Sequence, residues 1–464
     1  MRRDPDGRSR LLAAAFLALL GGLAALKMER AVDNDLFWQL KDGERVVLER
    51  RLPVREDYSF TAPGRSMVAI EWGAETASYL VFRLGGYGAL VVFNTVLFMA
   101  VFALLLALLR RRLPLLESLC LLALAAFAFL NFYAVRSQNW TLLFTALFLY
   151  WAALWDEGAA DWAPWAMAAV LLPWANLHAG FMVGLAVLAL VCLRRAWETR
   201  RLAALGPLGL GTLLCCAHPN GVMSLVYPLW FMAAPPPGRG MITEWQAVDF
   251  ADKTASPYLL LLAFLLWLGL AGAGARFPWT VLTLALTVLA LRGRKLLPEF
   301  TMAAIACLAF KLGDARREHA RRALLGAAAL ALAATGWVVL SRPWPRPFGD
   351  WERGYPRAAV ELIASRYPGR RVFHDYDWGG YLIYKLYPRN QVFIDGRLDP
   401  YWSLLSGDYA ALIAARPGWR RLLDDYGITV ALLRPGDRLC AELIQDPAWQ
   451  TVFADAGSVL MTRR

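Results

Sequence analysis

Val32-Asp33-Asn34-Asp35-Leu36-Phe37-Trp38 follows the first long apolar run of the chain, Leu11–Leu26. It lies in the longest polar segment ahead of the C-terminal tail, Met28 to Trp72, and sets two carboxylates one residue apart. The run before it, extended to Met28, can cross most of the ~30 Å hydrocarbon layer of a membrane. Arg2, Arg3, Arg8 and Arg10 precede that run, and basic residues stay on the cytoplasmic side. A retained first helix is expected here in preference to a cleaved signal peptide, because further apolar runs follow at once. The segment from Glu29 to Ala74 is then expected at the outer face, with the rest of the chain building a membrane cavity over it.

The whole chain agrees with that start. Of its 464 residues 58% are hydrophobic, 20 are Trp and only 19% are charged, against about 25% charged in a soluble protein. The net charge of +12 resides in short clusters between apolar runs, which is a membrane topology signal and no indication of nucleic acid. Cys120, Cys192, Cys215, Cys216 and Cys307 fall in apolar segments and Cys440 stands alone, so neither a disulfide framework nor a metal spacing is present. There is no Walker loop, nucleophile elbow, zinc motif or dinucleotide fingerprint.

Read in order, the apolar runs give about eleven spans. The first is Leu11–Met28 and the second Tyr87–Leu109, returning to Arg110-Arg111-Arg112 inside. The third, Leu113–Phe132, and fourth, Trp140–Trp155, flank a short outer loop that contains Arg136. The fifth ends outside at Asn176-Leu177-His178, and the sixth returns to Arg194-Arg195 and Arg200-Arg201. The seventh reaches the turn His218-Pro219-Asn220-Gly221, and a long outer segment with Ile242-Thr243-Glu244-Trp245-Gln246 follows. The remaining spans are Tyr258–Ala271, Trp279–Leu291, one that ends at Arg316–Arg322, and Ala323–Leu340. This register leaves Ser341–Arg464 outside. It also leaves Arg292, Arg294 and Lys295 on the outer side, against the charge rule, where something anionic would need them.

Leu36, Phe37, Leu40, Val47 and Leu48 face away from Lys41, Asp42, Glu44 and Arg45, the pattern of a helix lying on a membrane surface. In the tail, Arg371–Tyr376, Gln391–Asp395, Ile428–Leu433 and Thr451–Met461 read as strands. Pro356–Arg366, Asp408–Ala415 and Trp419–Tyr426 read as helices. The expected fold is a mainly α polytopic transmembrane bundle over residues 1–340, with its first outer loop at 29–74, and a small C-terminal extracytoplasmic α/β domain over 341–464. No internal repeat occurs, and the proline-rich bend Pro343–Pro347 stiffens the exit to the tail.

Several residues can carry chemistry. Asp35 can cap the helix that begins at Leu36. Equally, Asp33 and Asp35 can hold a hard divalent cation, Mg or Mn, or one of them can act as a general base. Glu244 is a loop glutamate flanked by the apolar Ile242 and Trp245. His178 and His218, two of only four histidines, stand at the outer ends of spans, where a bonded interface role competes with ligand binding. The tail is dense in polar aromatics at Phe373–Tyr381, which includes Asp377, Trp378 and Tyr381, and Gly379-Gly380 lets a backbone approach closely. Asp395-Gly396-Arg397 follows at about strand-return distance.

With these residues in these places, the layout resembles the GT-C superfamily of membrane glycosyltransferases, which use lipid-phosphate-linked sugars. It is most similar to the catalytic subunit of oligosaccharyltransferase. That family has an acidic motif in its first outer loop, and Asp33-Asn34-Asp35 stands there. Its later outer loop carries a glutamate in a Ser/Thr-x-x-Glu-like motif, to which Ile242-Thr243-Glu244-Trp245-Gln246 looks similar. An arginine near a late span end contacts the lipid phosphate, and Arg292 or Arg294 is so placed. Tyr376-Asp377-Trp378-Gly379-Gly380-Tyr381 is similar to the family's Trp-Trp-Asp-Tyr-Gly motif in permuted form. Arg136 stands where the family has an Asp-x-Asp metal motif, so the family's metal dependence is not carried over, and the permuted aromatic–acidic motif does not carry over an Asn-x-Ser/Thr acceptor.

The resemblance implies transfer of a sugar or oligosaccharide from a polyprenyl-phosphate donor to a glycan, lipid or protein acceptor at the outer face of an inner membrane. Asp33, Asp35 and Glu244 are the expected catalytic carboxylates. Arg136, His178, His218, Arg292, Arg294, Lys295, Asp377, Trp378, Tyr381, Asp395 and Arg397 are the expected substrate contacts. The tail is expected to fold down with Tyr376–Tyr381 and Asp395–Asp399 near the first loop. A transporter or flippase of a lipid-linked saccharide would need the cavity without the acid. A non-catalytic assembly protein would use the tail to bind a partner.

Overall fold

The structure is a computed structural model and describes residues 7–30, 32–234, 237, 240, 242–251, 258, 261–262, 279–314, 318–340 and 350–464. Among these residues the helices of seven residues or more are α1 (Gly7–Arg30), α2 (Leu36–Leu48), α3 (Trp72–Arg110), α4 (Leu115–Ala128), α5 (Gln138–Asp156), α6 (Ala163–Leu177), α7 (Phe181–Thr199), α8 (Gly206–Cys215), α9 (Met223–Ala233), α10 (Trp279–Arg292), α11 (Leu297–Asp314), α12 (Glu318–Leu340), α13 (Arg357–Arg366), α14 (Gly379–Leu386), α15 (Trp419–Asp425) and α16 (Arg438–Gln445). Most of the span expected at Tyr258–Ala271, the basic pair Arg316-Arg317 and the Pro343–Pro347 bend lie outside the described residues. Two described helices are long and apolar enough to cross a membrane, Gly7–Glu29 and Trp72–Arg110, and six apolar helices are shorter.

The chain divides into two compact units. One comprises Met1–Ala31, Gly88–Leu225 and Thr243–Arg346; the other comprises Val32–Tyr87, Val226–Ile242 and Pro347–Arg464. The chain passes between them inside α3, where Gly85 and Gly86 break the helix, Gly86 with φ of 63° and ψ of −151°. Such a backbone suits glycine alone.

The first unit is helical. α4 packs on α12 and α11, α5 on α6 and α7, α6 on α8, and α10 on α11. Its interior is made by large side chains at helical spacing, among them Phe98, Phe102, Phe129, Phe148, Trp174, Phe181 and Trp279. Most described helix ends agree with the expected spans within a few residues, but α3 begins at Trp72, well ahead of the expected Tyr87. α9 is a difference: the turn at His218–Gly221, together with Pro228 and the prolines that follow, made an apolar stretch read as loop. All six cysteines are free, and five are buried.

The second unit is α/β. Its four-stranded sheet has the order β1 (Val372–His374), β2 (Val430–Leu433), β4 (Val459–Arg463), β3 (Trp449–Ala454). β1 runs parallel to β2, and the other pairs are antiparallel. The single strand expected at Thr451–Met461 is a hairpin, because Asp455-Ala456-Gly457-Ser458 turns it; Asp455 Oδ1 accepts from Gly457 N at 2.9 Å and Ser458 N at 2.7 Å. Gln391–Asp395 is not a ladder strand. It runs extended between Ser59 and Val372, bridging each once at Val392. α14 and α16 were not expected; the glycine pair that reads as a turn starts α14 instead.

α2 has its apolar side against protein of its own unit and not against a membrane surface. Leu36, Phe37 and Leu40 are fully buried, while Leu48 is exposed. The Phe37 ring stacks on Trp351 at 4.9 Å and meets Tyr355 and Tyr381 edge-on at 4.6 and 5.0 Å. The same cluster holds Trp38, Tyr58, Leu382 and Ile383. Even the polar side of α2 is covered: Asp42 and Arg45 are buried, with Tyr58 donating to Asp42 at 2.6 Å and Arg45 to Asp57 at 2.6 Å.

Candidate functional site

In the helical unit, four of the expected site residues interact around one carboxylate. Arg136 leaves the short turn before α5 and pairs through Nη1 with Glu244 Oε1. Lys295 Nζ lies 4.0 Å from the other oxygen, Oε2, and 5.1 Å from the centre of the Trp245 ring. Burial alone would raise the Glu244 carboxyl. Arg136 and then Lys295 outweigh it, His178 adds a smaller pull, and the group is held below the usual carboxylate range.

The His178 ring is fixed from behind. Gly180 N donates to its Nδ1 at 3.0 Å, and the Thr141 hydroxyl lies 2.8 Å from the same nitrogen. Trp174 Nε1 in turn donates to Thr141 at 3.0 Å. An Nδ1 that accepts a backbone proton puts the ring proton on Nε2. The site is thus two fixed cations on one ionised carboxylate, with the His178 ring near enough to add a smaller pull.

The sequence did not point to the parts that hold this site. Gln138 donates to the Lys295 carbonyl at 3.1 Å. Arg294 N donates to Gln246 O at 3.1 Å, and its guanidinium reaches Ala247 O at 3.4 Å. Of the expected cationic trio, Lys295 faces Glu244, Arg294 braces the Glu244 turn through backbone oxygens, and Arg292 is exposed at the end of α10. His218 is a turn residue, with Asn220 N donating to its Nδ1 at 3.1 Å, and Asn176 ties the end of α6 to that turn through Ala217 O at 3.0 Å.

The other expected residues are in the α/β unit. Asp33 Oδ1 accepts from Asp35 N at 2.9 Å, and Asp35 Oδ1 accepts from the Trp38 indole at 3.0 Å. Asp35 gives the helix no side-chain cap. The tail lies directly against these residues. A side chain at Gly396 would place Cβ 2.1 Å from Asp35 Oδ1, and one at Gly380 would place it 2.8 Å from the Asn34 carbonyl. Tyr355 donates to Asn34 Oδ1 at 2.6 Å. The close approach expected at Gly379-Gly380 is therefore made by the chain's own first loop. Asp377 is exposed and pairs with Arg434 at 2.8 Å, Arg434 lies 5.0 Å over the Trp378 ring, and buried Tyr381 donates to Glu352 at 2.8 Å.

Asp395 and Arg397 are not at a surface that a substrate could touch. Asp395 is fully buried and the Arg397 side chain is 4% exposed. Arg397 grips both Asp395 oxygens, at 2.8 and 2.6 Å, pairs with Glu56 at 2.5 Å, and lies 4.6 Å over the Tyr58 ring. Tyr401 donates to Asp395 at 2.9 Å. A buried charge survives only when it is paired in this way. Glu56 gave no signal in the sequence, because its partner Arg397 lies in a distant stretch of chain.

A divalent cation was expected at Asp33 and Asp35. No group of three or more His, Cys, Asp or Glu able to hold a metal occurs among the described residues. A hard cation needs about six oxygen ligands, and these two carboxylates are engaged by Asp35 N and Trp38. They do not by themselves make a metal centre.

No protein-family model matches the chain, and no curated protein does. Solved structures do. The archaeal oligosaccharyltransferase AglB of Archaeoglobus fulgidus, in complex with an inhibitory peptide and a dolichol-phosphate, superposes with a TM-score of 0.60 at 10% identity over 92% of this chain and 70% of that one. ArnT of Cupriavidus metallidurans in the apo state superposes with a TM-score of 0.53 at 14% identity over 97% of each. The chain shares its fold with the GT-C membrane glycosyltransferases. The A. fulgidus oligosaccharyltransferase was also solved with Zn and sulfate, at a TM-score of 0.55 and 10% identity over 90% of this chain and 68% of that one.

Proposed function

We propose that the chain is a polytopic inner-membrane glycosyltransferase that moves a sugar or oligosaccharide from a polyprenyl-phosphate donor to an acceptor at the outer face. The observation that carries this is the pair of cations, Arg136 and Lys295, gathered on Glu244 with His178 in electrostatic reach, in a GT-C fold. AglB was solved with a dolichol-phosphate and an inhibitory peptide, which supports a lipid phosphate as the leaving group. About eleven spans, a cytoplasmic N-terminus and an extracytoplasmic Ser341–Arg464 complete the topology, and membrane lipids surround the bundle.

The chemistry needs few parts. The acceptor heteroatom bonds to the sugar C1 as the C1–O bond to phosphate breaks, and the acceptor's proton passes to Asp33 or Asp35. The phosphate leaves on its lipid, its charge met by Arg136, Lys295 and the His178 Nε2–H. Glu244, held ionised, is a poor base and serves to aim those donors. Magnesium or manganese would find in Asp33 and Asp35 only two of its ligands, the rest coming from substrate, and no step here runs through a metal. The acceptor is proposed no more finely than a glycan, lipid or protein.

Titration of the full chain with a polyprenyl phosphate tests this reading. Arg136→Gln and Lys295→Gln should each weaken binding by about 1–3 kcal/mol, the range for charge-assisted hydrogen bonds. Unchanged affinity in the double variant would overturn it. Asp33→Asn separates enzyme from flippase: product should vanish while donor binding stays, whereas unaltered lipid-linked saccharide flux would favour the transporter.

A further inference from the structure

The α/β unit contains a second site that the transfer chemistry does not use. A cleft of about 440 Å³ opens between the first-loop turn, at Thr61 and Arg65, and the tail, at Pro400, Ser403, Asp408 and Tyr426. That volume is in the range of small-molecule sites.

The backbone around the cleft departs from regular geometry in two places. Leu398 has φ of 63° and ψ of −46°, a conformation that a leucine adopts only when its surroundings force it. Residues Leu405–Tyr409 form a π-helical turn, with Gly407 at φ of −96° and ψ of −105°. Turns of this kind are frequent at functional sites. The buried lock of Arg397 with Asp395, Glu56 and Tyr401 flanks Leu398 in sequence and joins the first loop to the tail. Two further bonds cross the cleft's base: Thr61 donates to Phe393 O at 2.6 Å, and Arg65 to Pro400 O at 2.9 Å.

The lining selects the ligand. One guanidinium and one carboxylate nearly balance, so a phosphate or other polyanion gains little there. Tyr426 donates to Asp408 Oδ2 at 2.5 Å, which orients the carboxylate and keeps Oδ1 available as an acceptor. Ser403 is exposed and offers a hydroxyl. Between these polar groups lie the flat faces of Pro63, Pro400 and the Tyr426 ring. A pyranose presents the complement: apolar C–H faces edged by hydroxyls that both donate and accept.

We propose that this cleft binds a neutral saccharide unit of one or two pyranose rings, separate from the phosphate-facing donors of the helical unit. Asp408 would accept from vicinal hydroxyls, Arg65 and Ser403 would donate to them, and Tyr426 would cover a ring face. The choice of a saccharide rests on the proposed function, but the site's existence does not.

The test uses the full chain in a detergent without a sugar headgroup, probed by saturation-transfer NMR with methyl glucoside, methyl galactoside, methyl N-acetylglucosaminide and maltose. At least one probe should receive magnetisation, with a dissociation constant on the order of a millimolar. Asp408→Asn should weaken it about five- to tenfold, an effect of the size expected for a charge-assisted hydrogen bond. Ser403→Trp, an exposed position, should abolish it. Hydrogen-exchange protection of the Leu36–Leu48 amides, which depends on the folded tail, is measured on the same samples and should be unaltered by Ser403→Trp, which shows the α/β unit intact. No transfer to any probe, or transfer undiminished by Ser403→Trp, would overturn the proposal. A chain that binds these glycosides but fails the Arg136→Gln test keeps the cleft and loses the donor reading.

Discussion

Glu244 sets a negative charge among Arg136, Lys295 and His178, where a lipid phosphate would place its own. The two anions repel, so Glu244→Gln should tighten polyprenyl-phosphate binding about three- to tenfold, a shift well within Coulomb energies at this range. Transfer should fall in the same variant, since the donors lose the group that aims them. Weaker or equal phosphate binding would refute the arrangement. Charge at or just beyond the end of an apolar run made Arg136, Glu244, His178 and Lys295 visible as candidates. Which of Arg292, Arg294 and Lys295 would face Glu244 was not visible, because that depends on how the Thr243–Gln246 turn folds back on residues 293–295. Asp395 and Arg397 show the converse, since a polar motif in a tail reads the same whether it binds a substrate or locks a core. Arg397→Gln would leave Glu56 and Asp395 buried without their cation and should destabilise the unit by about 3–5 kcal/mol. Arg421→Gln removes an exposed partner of Asp425 one helical turn away and should change stability by about 1 kcal/mol or less. Thermal unfolding of the two variants side by side checks the contrast.

β1 ends on His374, whose buried ring joins two segments. Its Nε2 accepts from Phe393 N at 3.2 Å, and its Nδ1 lies 2.8 Å from Asp375 O, so the proton is on Nδ1. Burial pushes the imidazole below its ordinary value near 6.5, against the smaller opposing pull of Asp375. The unfolded chain therefore binds a proton, below about pH 6.5, that the folded chain declines. Stability from this group is full above that pH and is lost as pH falls beneath it. Melting temperatures from pH 7.5 to 5.5 should drop for the unaltered chain and drop less for His374→Gln. Equal slopes would refute it, and the comparison cancels the titration of other groups. At this scale the elements with clear period were legible: α13, α15, β1 and β2 all lie where apolar spacing put them. Gln391–Asp395 has strand composition yet makes only isolated bridges, because its neighbour on one side is the first loop and not a strand. α14 was hidden by the two glycines at its start, which are there for the approach of Asn34 and Ile394 and not for a turn.

The chain's two compact units do not follow its order. Val32–Tyr87 shares a unit with Pro347–Arg464, in line with the expected fold-down of the tail onto the first loop but not with the assignment of that loop to the 1–340 domain, and Val226–Ile242 joins them unforeseen. This has a consequence for the acidic loop. α2 has 13 residues, and an isolated helix of that length is marginal in water. What holds it is the burial of Phe37, Trp38 and Tyr58 among Val360, Tyr381, Leu382 and Ile383, with Trp351 and Tyr355 closing over Phe37. Each such side chain contributes about 1.5–3 kcal/mol by leaving water, and three of them outweigh the stability of a lone helix. Asp33 and Asp35 are positioned by that same packing, through Gly380 and Gly396. A chain that stops after residue 346 should therefore retain the helical unit and its Arg136–Glu244–Lys295 site, with donor affinity near that of the full chain. Transfer should be lost, and the loop should unfold: backbone amides of Leu36–Leu48 should exchange hydrogen within seconds, and trypsin should cut at Arg45, Arg50 and Arg51. The full chain should protect the α2 amides and resist cleavage at Arg45, which is buried. Protected α2 amides in the shortened chain would mean that the loop folds without the tail, and the dependence of the acidic pair on residues 347–464 would be wrong.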